Sequence, residues 1–263
     1  KMLASIGIMA GSYAHNIKNL LVRPNDLLDR CMYDPTLSPE KARMLREVKD
    51  TLGTVTERLQ QILQTVRRDP SRSEVTSLDM SEMLRELQKT WHQMGEKWKL
   101  QIHVELPEEP LLTKGDHSHL QQAIENLLFN SRDAIFAMRN HRRNLARQSN
   151  EDDPSARQKA ILKAAAWKGN IWIRARQEAD QLIVEVQDDG IGMDEKVKKQ
   201  CTETHFSTKR NDAMVEGQGA GMGLGLSFVQ VILQHHNAEL EIDTQPLAGA
   251  TFRARFPLEV SES

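Results

Sequence analysis

The chain has 263 residues, 39% of them hydrophobic, enough for one large globular domain or two ordinary ones. Its 35 Lys and Arg against 37 Asp and Glu leave a formal charge of −2, so no global field draws it to nucleic acid or to an anionic membrane. The two cysteines, Cys31 and Cys201, lie far apart without CxxC spacing, which speaks against a zinc framework or a disulfide scaffold and fits a reducing cytoplasm.

No run of roughly 18 apolar residues is present to span a bilayer, and the opening "KMLASIGIMAG" is too short and too weakly basic for a signal peptide. The chain begins mid-helix at Lys1, so an upstream part is expected. From there Leu3, Ile6, Ala10, Tyr13, Ile17, Leu20, Pro24, Leu27 and Cys31 recur at alternating steps of three and four, the seam of one helix. The stretch "YDPTLSPE" breaks the pattern with turn and helix-start residues. Leu45, Val48, Leu52, Val55, Leu59, Ile62 and Val66 then repeat it in a second helix. Two helices with one narrow seam each cover little apolar surface, and a symmetric dimer closing a four-helix bundle solves that problem. With Leu3 at an a position, His15 falls at f, the outermost place on the helix, and Asn19 lies one turn further along the same side. No second His, Cys or carboxylate sits at helical spacing from His15, so metal binding is not indicated. On its own, His15 reads as a solvated surface residue.

Beyond Val75 the periodicity changes. "SLDMSEMLRELQKTWHQMGEKW" predicts a capped helix, "LQIHVEL" an alternating strand, "PLLTKGD" a short strand and "HSHLQQAIENLLFNSRDAIFAMR" a long apolar helix. Residues 140 to about 168 are polar and charged, without an apolar period, and read as a solvated or partly mobile insert. "NIWIRARQ" and "QLIVEVQD" predict paired strands with "DDGIGM" at their end. The helix "MGLGLSFVQVILQHH" and the strands "AELEIDT" and "GATFRARFP" complete an α+β sandwich with helices on one face of a sheet. The run "GQGAGMGLGL" has neither P-loop nor Rossmann spacing.

Four elements therefore stand in fixed order: "ENLLFNSRDA" on a helix, "DDGIGM" after a strand, "HFSTK" in the next loop and "GAGMGLGLSF" entering a helix. The combination resembles the nucleotide-binding domain of the histidine kinase, gyrase, Hsp90 and MutL ATPase superfamily. With a histidine-bearing hairpin upstream, the chain resembles the dimerisation and catalytic core of a bacterial sensor histidine kinase. The resemblance implies a helical hairpin over residues 1–72 that dimerises into a four-helix bundle. A Bergerat-type α/β sandwich binding ATP and Mg²⁺ would follow over 73–263.

It also implies roles. Asn126 and Asn130 share a helix face, and Asn130 becomes the Mg²⁺ ligand with Asn126 as a polar support, because the ion takes oxygen ligands and keeps waters and phosphates. Asp133 joins the nucleotide contacts. Asp188 accepts the exocyclic amino hydrogen of adenine, which favours ATP over GTP, while Gly190 and Gly192 keep side chains away from the ring. Asp189 is read as a solvated neighbour. Phe206 anchors a lid, Ser207, Thr208 and Lys209 face the phosphates, and Gly221, Gly223, Leu224 and Gly225 bring main-chain amides and a helix start to them. The segment from about Cys201 to Ala220 is expected to order on ATP.

His15 then becomes the phosphoryl acceptor, passing the group to an aspartate on a response regulator receiver domain, the expected partner of a homodimer. The family usually carries Glu or Asp after this histidine; here Asn16 stands there, and an amide cannot take a proton. Slow phosphorylation is the expectation. Asn19 matches the place where the family positions a hydrolytic water, implying regulator phosphatase activity. The alternatives are an ATP-binding adaptor or phosphatase-biased homologue with weak autokinase activity, and a superfamily ATPase in which His15 is incidental. A cytoplasmic protein is expected, with any membrane attachment through an upstream region and no nucleic-acid partner.

Overall fold

The computed structural model describes residues 21, 23–33, 37–49, 52–53, 56, 75–148, 154–201 and 225–258. Of the described residues, those up to 56 belong to one compact unit and those from 75 to 201 and 225 to 258 to a second.

The described residues of the N-terminal unit are mostly helical. Helix α1 covers 23–32 and α2 covers 39–49, with Leu52, Gly53 and Thr56 also helical. Asp26 and Arg30 pair within α1 at 3.0 Å, and Lys49 of α2 reaches Asp29 of α1 in an ion pair that joins the helices. The seam residues Leu27 and Val48 are about half exposed in the single chain, while Leu28, Met32 and Leu45 are partly covered.

The second unit is an α+β sandwich, as expected. Its elements are β1 (Thr76–Asp79), α3 (Met80–Trp98), β2 (Leu100–Glu105), β3 (Leu112–Gly115), α4 (His117–Gln148) and α5 (Pro154–Ala166). They continue with β4 (Gly169–Glu178), β5 (Gln181–Asp188), α6 (Glu195–Gln200), α7 (Gly225–His235), β6 (Glu239–Thr244) and β7 (Ala250–Pro257). A five-stranded sheet runs β2-β4-β5-β7-β6, parallel only between β2 and β4, and β1 pairs with β3 in a separate antiparallel ribbon.

Period-two alternation sends Ile171 and Ile173 of β4, Leu182, Val184 and Val186 of β5, and Phe252, Ala254 and Phe256 of β7 to one face. Three helices cover it. Helix α3 contributes Met80, Met83, Leu84, Leu87 and Trp91; α4 contributes Leu120, Ala123, Ile124, Leu127 and Ile135; α7 contributes Val229, Ile232 and Leu233. These repeats of three and four place one apolar stripe of each helix on the sheet. Burial of such side chains contributes about 1.5–3 kcal/mol each, and this layer carries the fold. The opposite face is polar: Arg174 bridges Glu105 and Glu185, and Arg253 bridges Glu185 and Glu241.

Two expectations are corrected. The stretch beginning at Ser77 is not helical from its start, because Thr76–Asp79 pairs with Leu112–Gly115 and the helix begins at Met80. Asp79 caps it: one carboxylate oxygen accepts the Ser81 N–H at 2.9 Å and the Leu111 N–H at 3.2 Å, so one side chain both starts the helix and ties it to the ribbon. Second, the charged insert is largely helical. Helix α4 runs on to Gln148, 32 residues and about 48 Å, and α5 packs back on it, with Arg142 over the Trp167 ring at 4.4 Å. Partly covered Ala156, Ala160 and Ala164 line one side of α5 at a spacing of four, a period too weak in hydrophobicity to stand out in the sequence. Among the described residues no helix is long and apolar enough to cross a membrane.

Candidate functional site

Strand β5 ends at Asp188, whose side chain lies on the helix-covered face and is 2% exposed. One carboxylate oxygen accepts the Gly190 N–H at 2.9 Å; the other, Oδ2, is buried without a hydrogen-bond partner. Burial pushes this carboxyl up to about 7; the Gly190 amide, the Ser131 hydroxyl of α4 and the Ala250 amide offset it only in part, and the neighbouring Asp189 charge adds to the rise. A buried acceptor left open is costly, so the arrangement suits a donor arriving from outside the chain.

The loop after β5 is fixed on two sides. Toward α4, Ile191 N–H donates to the Ala134 carbonyl at 3.0 Å, and a side chain on Gly190 would meet Ala134 atoms at 2.6 Å. Toward the β6–β7 connection, Leu247 N–H donates to the Ile191 carbonyl at 2.7 Å. Gly192 has φ +66°, and a Cβ there would stand 1.9 Å from the Gln245 carbonyl oxygen. Only glycine fits both conditions. The loop therefore presses against the turn of α4 that follows Asn130.

On α4, Asn126, Asn130 and Asp133 form one narrow stripe. Asn126 donates its amide N–H to the Gln122 carbonyl one turn back at 2.9 Å. The Asn130 amide nitrogen is buried without a partner, a second polar group open to a ligand beside Asp188's loop. Arg132 donates twice to Asp133 Oδ1, at 3.1 and 2.9 Å, while its guanidinium lies 4.8 Å from the Trp98 ring centroid and 5.0 Å from that of Phe129. Asp133 is thus engaged within the chain.

Asp189 is not the solvated neighbour the sequence reading made it. Its two carboxylate oxygens accept the Asn170 main-chain and side-chain N–H groups, both at 2.8 Å, which pins the end of β5 to the start of β4. Because that amide nitrogen donates to Asp189, its oxygen is the acceptor for His103 Nε2–H at 3.0 Å. Sequence reasoning also missed Thr244 and Gly249. The Thr244 hydroxyl accepts the Met193 N–H at 3.0 Å and donates to the Gly249 carbonyl at 2.8 Å. Gly249, at φ +82°, has no room for a Cβ beside the Asp188 carbonyl. The available signal was a glycine just before a closing strand.

Gly225 is the first residue of α7. His15, Asn16, Asn19, Phe206, Ser207, Thr208, Lys209, Gly221, Gly223 and Leu224 lie outside the described residues. Cys201, where the mobile segment was expected to begin, is buried at the end of α6. The described site thus joins Asp188, Gly190 and Gly192 to the Asn130 turn of α4.

Residues 115–260 match the family described as Histidine kinase-, DNA gyrase B-, and HSP90-like ATPase, more than half of the chain. Among curated relatives, the sensor kinase CckA of Brucella abortus is 25% identical over 99% of this chain and 25% of its own length. The signal transduction histidine-protein kinase AtoS of Escherichia coli is 23% identical over 97% of this chain and 35% of its own. The chain spans a quarter to a half of the length of the first such relatives. Among solved structures, histidine kinase ThkA in complex with the response regulator TrrA superposes over 100% of this chain and 64% of its own, with a TM-score of 0.56 at 18% identity. Full-length ShkA bound to AMPPNP covers 97% of this chain and 46% of its own, at 0.57 and 14%. These likenesses show the fold.

Proposed function

Since the chain belongs to the histidine kinase-, DNA gyrase B- and HSP90-like ATPase family, we propose that it is the core of a two-component sensor histidine kinase. In this reading it phosphorylates itself on His15 from ATP and passes the phosphoryl group to an aspartate of a response regulator. The observation that carries the reading is Asp188: a buried carboxylate at the strand end with one oxygen unsatisfied. Adenine offers that oxygen an N–H donor where guanine offers another acceptor.

The donor set fits the nucleotide. Asp188 reads the base above a floor that Gly190 and Gly192 keep free of side chains. Ser207, Thr208, Lys209 and the glycines 221, 223 and 225 hold the phosphates. Asn130, with Asn126 beside it, would hold Mg²⁺, which would draw charge from the phosphate oxygens. The proposed domain division is 1–72 for dimerisation and phosphotransfer and 73–263 for catalysis.

His15, which the heptad spacing of the sequence assigns to an outer position, uses the lone pair of its neutral ring. A nitrogen–phosphorus bond forms as the bond from the γ-phosphorus to the bridging oxygen breaks, ADP leaves, and the ring proton goes to solvent because Asn16 cannot accept it. At neutral pH an imidazole of pKa about 6.5 is mostly unprotonated, so attack proceeds without an acidic neighbour, though slowly. Asn19 orients water on the phosphorylated regulator. The partner is a receiver domain, and two chains close the helical bundle. The complex of ThkA with its regulator TrrA supports the partner class.

Labelling with γ-labelled ATP and Mg²⁺ tests this. The expected result is an acid-labile, base-stable label that His15→Ala removes and Asn16→Glu acquires faster. A label indifferent to His15, or none with nucleotide bound, would leave an ATPase or adaptor in its place.

A further inference from the structure

Where α4 begins and α7 ends, four histidines gather: His117 and His119 in the first turn of α4, His235 and His236 at the end of α7. His236 is buried and both its ring nitrogens are committed to the backbone. Nε2 accepts the Asp116 N–H at 3.0 Å, and Nδ1–H donates to the Ile232 carbonyl at 2.7 Å. These roles fix one neutral tautomer, since an amide nitrogen can only donate and a carbonyl only accept. The bond to Asp116 links α7 to the residue that starts α4; the bond to Ile232 stays inside α7. Space is kept for the ring: a Cβ on Gly115 would lie 3.2 Å from His236 Cδ2 and 2.5 Å from Leu120 Cδ1.

A second proton on this ring belongs on Nε2, where the Asp116 N–H already points, so two donors would face each other in a dry site. The other titratable groups facing the ring are His119 of α4, 6.4 Å between ring centroids; His235 of α7, 5.5 Å; and the Asp116 carboxylate, which accepts the His119 N–H at 3.0 Å. His117 turns toward Glu86 of α3 at 3.9 Å. Burial holds the His236 ring below the usual imidazole value; the Ile232 carbonyl pulls the other way, His235 and His119 add to the lowering, and Asp116 opposes it. With the folded value below the unfolded one, the ring's contribution is complete above the ordinary imidazole range and is lost as pH falls beneath it.

The two helices joined here carry the two halves of the proposed nucleotide site. Helix α4 bears Asn126, Asn130 and the turn that seats the Asp188 loop; α7 starts at Gly225, the last glycine of the phosphate run. Leu120, Ile124, Val229, Ile232 and Leu233 belong to the one core that fills the space beneath the sheet. We propose that His236 is a positioning residue for the nucleotide site, an acid-sensitive clamp whose neutral ring locks the end of α7 to the start of α4 and whose protonation releases it. The proposal rests on the reading of this domain as an ATP site.

Two substitutions separate the nitrogens. Gln at 236 can place an acceptor where Nε2 stood, keeping the link to Asp116 without titrating; Asn reaches only as far as Nδ1 and loses it. Binding of a non-hydrolysable ATP analogue with Mg²⁺ to the whole chain is measured calorimetrically at about pH 7.5 and about pH 5.5, with the backbone amide resonance of Asp116 followed over the same range. Asp188 imposes its own loss of affinity at acid pH on every variant, so the clamp is read from differences. The wild type should lose about fivefold more affinity on acidification than His236→Gln, and His236→Asn should bind about fivefold more weakly than His236→Gln at the higher pH. The Asp116 amide should titrate in the wild type and stay fixed in His236→Gln. Parallel losses in wild type and Gln variant, or equal affinities of the Gln and Asn variants, overturn the clamp. Should the analogue bind at neither pH, the ATP-site reading fails, and the Asp116 amide alone decides whether the clamp exists.

Discussion

Strand β5 places two carboxylates on opposite faces of the sheet, three residues apart, and treats them in opposite ways. On the polar face Glu185 receives Arg174 at 3.0 Å and Arg253 at 2.8 Å. Burial alone would raise its carboxyl, but the hydrogen bonds from Arg253 and Arg174 outweigh that and hold it below the ordinary carboxylate range. On the helix-covered face Asp188 has no cation among its hydrogen-bond partners, keeps one oxygen unsatisfied and sits at about 7. Both are nearly dry; only Glu185 has been given cationic partners. A buried charge whose partners are all present builds structure, whereas one left open costs stability that a ligand can return.

The sharpest way to break this contrast is Asp188→Asn, which keeps the shape and removes the charge. ATP affinity should fall about 100-fold, read by calorimetry. The folded carboxyl lies above its unfolded value, so its charge costs stability that grows as pH rises through about 7. The variant should therefore melt at a higher temperature than wild type in alkali, and the advantage should vanish in acid. Gly192→Ala comes next: a side chain driven against the Gln245 carbonyl at φ +66° should cost about 2 kcal/mol of stability in a denaturant titration and weaken ATP binding with it.

Glu185→Gln should cost about 1.5 kcal/mol at neutral pH and leave ATP affinity unchanged. Its sign with pH is the reverse of Asp188's: with a folded value below the unfolded one, the wild-type advantage is present above the carboxylate range and is lost as pH falls through it. The smallest effect belongs to Asn170→Ala, which releases Asp189 and His103; about 1 kcal/mol of stability should go, with ATP affinity changed less than about threefold. Were it to match Asp188→Asn in binding, Asp189 would be a reader of the ligand and not a pin.

How much of this was legible differs along the chain. The alternation in "NIWIRARQ" and "QLIVEVQD" announced the central strands, and the aspartate at the end of the second was identified with its exposure still unknown. Ser77 to Asp79 did not announce a strand, because three residues cannot establish a period and a capping aspartate looks the same whether loop or strand precedes it. The insert hid its helices because an alanine stripe has little hydrophobic contrast. Asp189 was misread for a different reason: its partner Asn170 lies 19 residues away, joined only by the β4–β5 pairing. The same holds for Thr244 and His236, whose partners Met193 and Asp116 lie 51 and 120 residues away. Nothing local in "DDG" separates the proposed reader from the pin; only the pleat, which turns neighbouring side chains to opposite faces, does.

The central claim is that the open oxygen of Asp188 awaits a donor on adenine. Its direct test is the titration of the Asp188 carboxyl by carbon-detected NMR, without nucleotide and with a saturating ATP analogue. A value near 7 in the free chain, falling clearly once the nucleotide is bound, is the result expected, because a donated N–H favours the charged form. A carboxyl that titrates at the same pH with the nucleotide bound would mean that the base is held elsewhere.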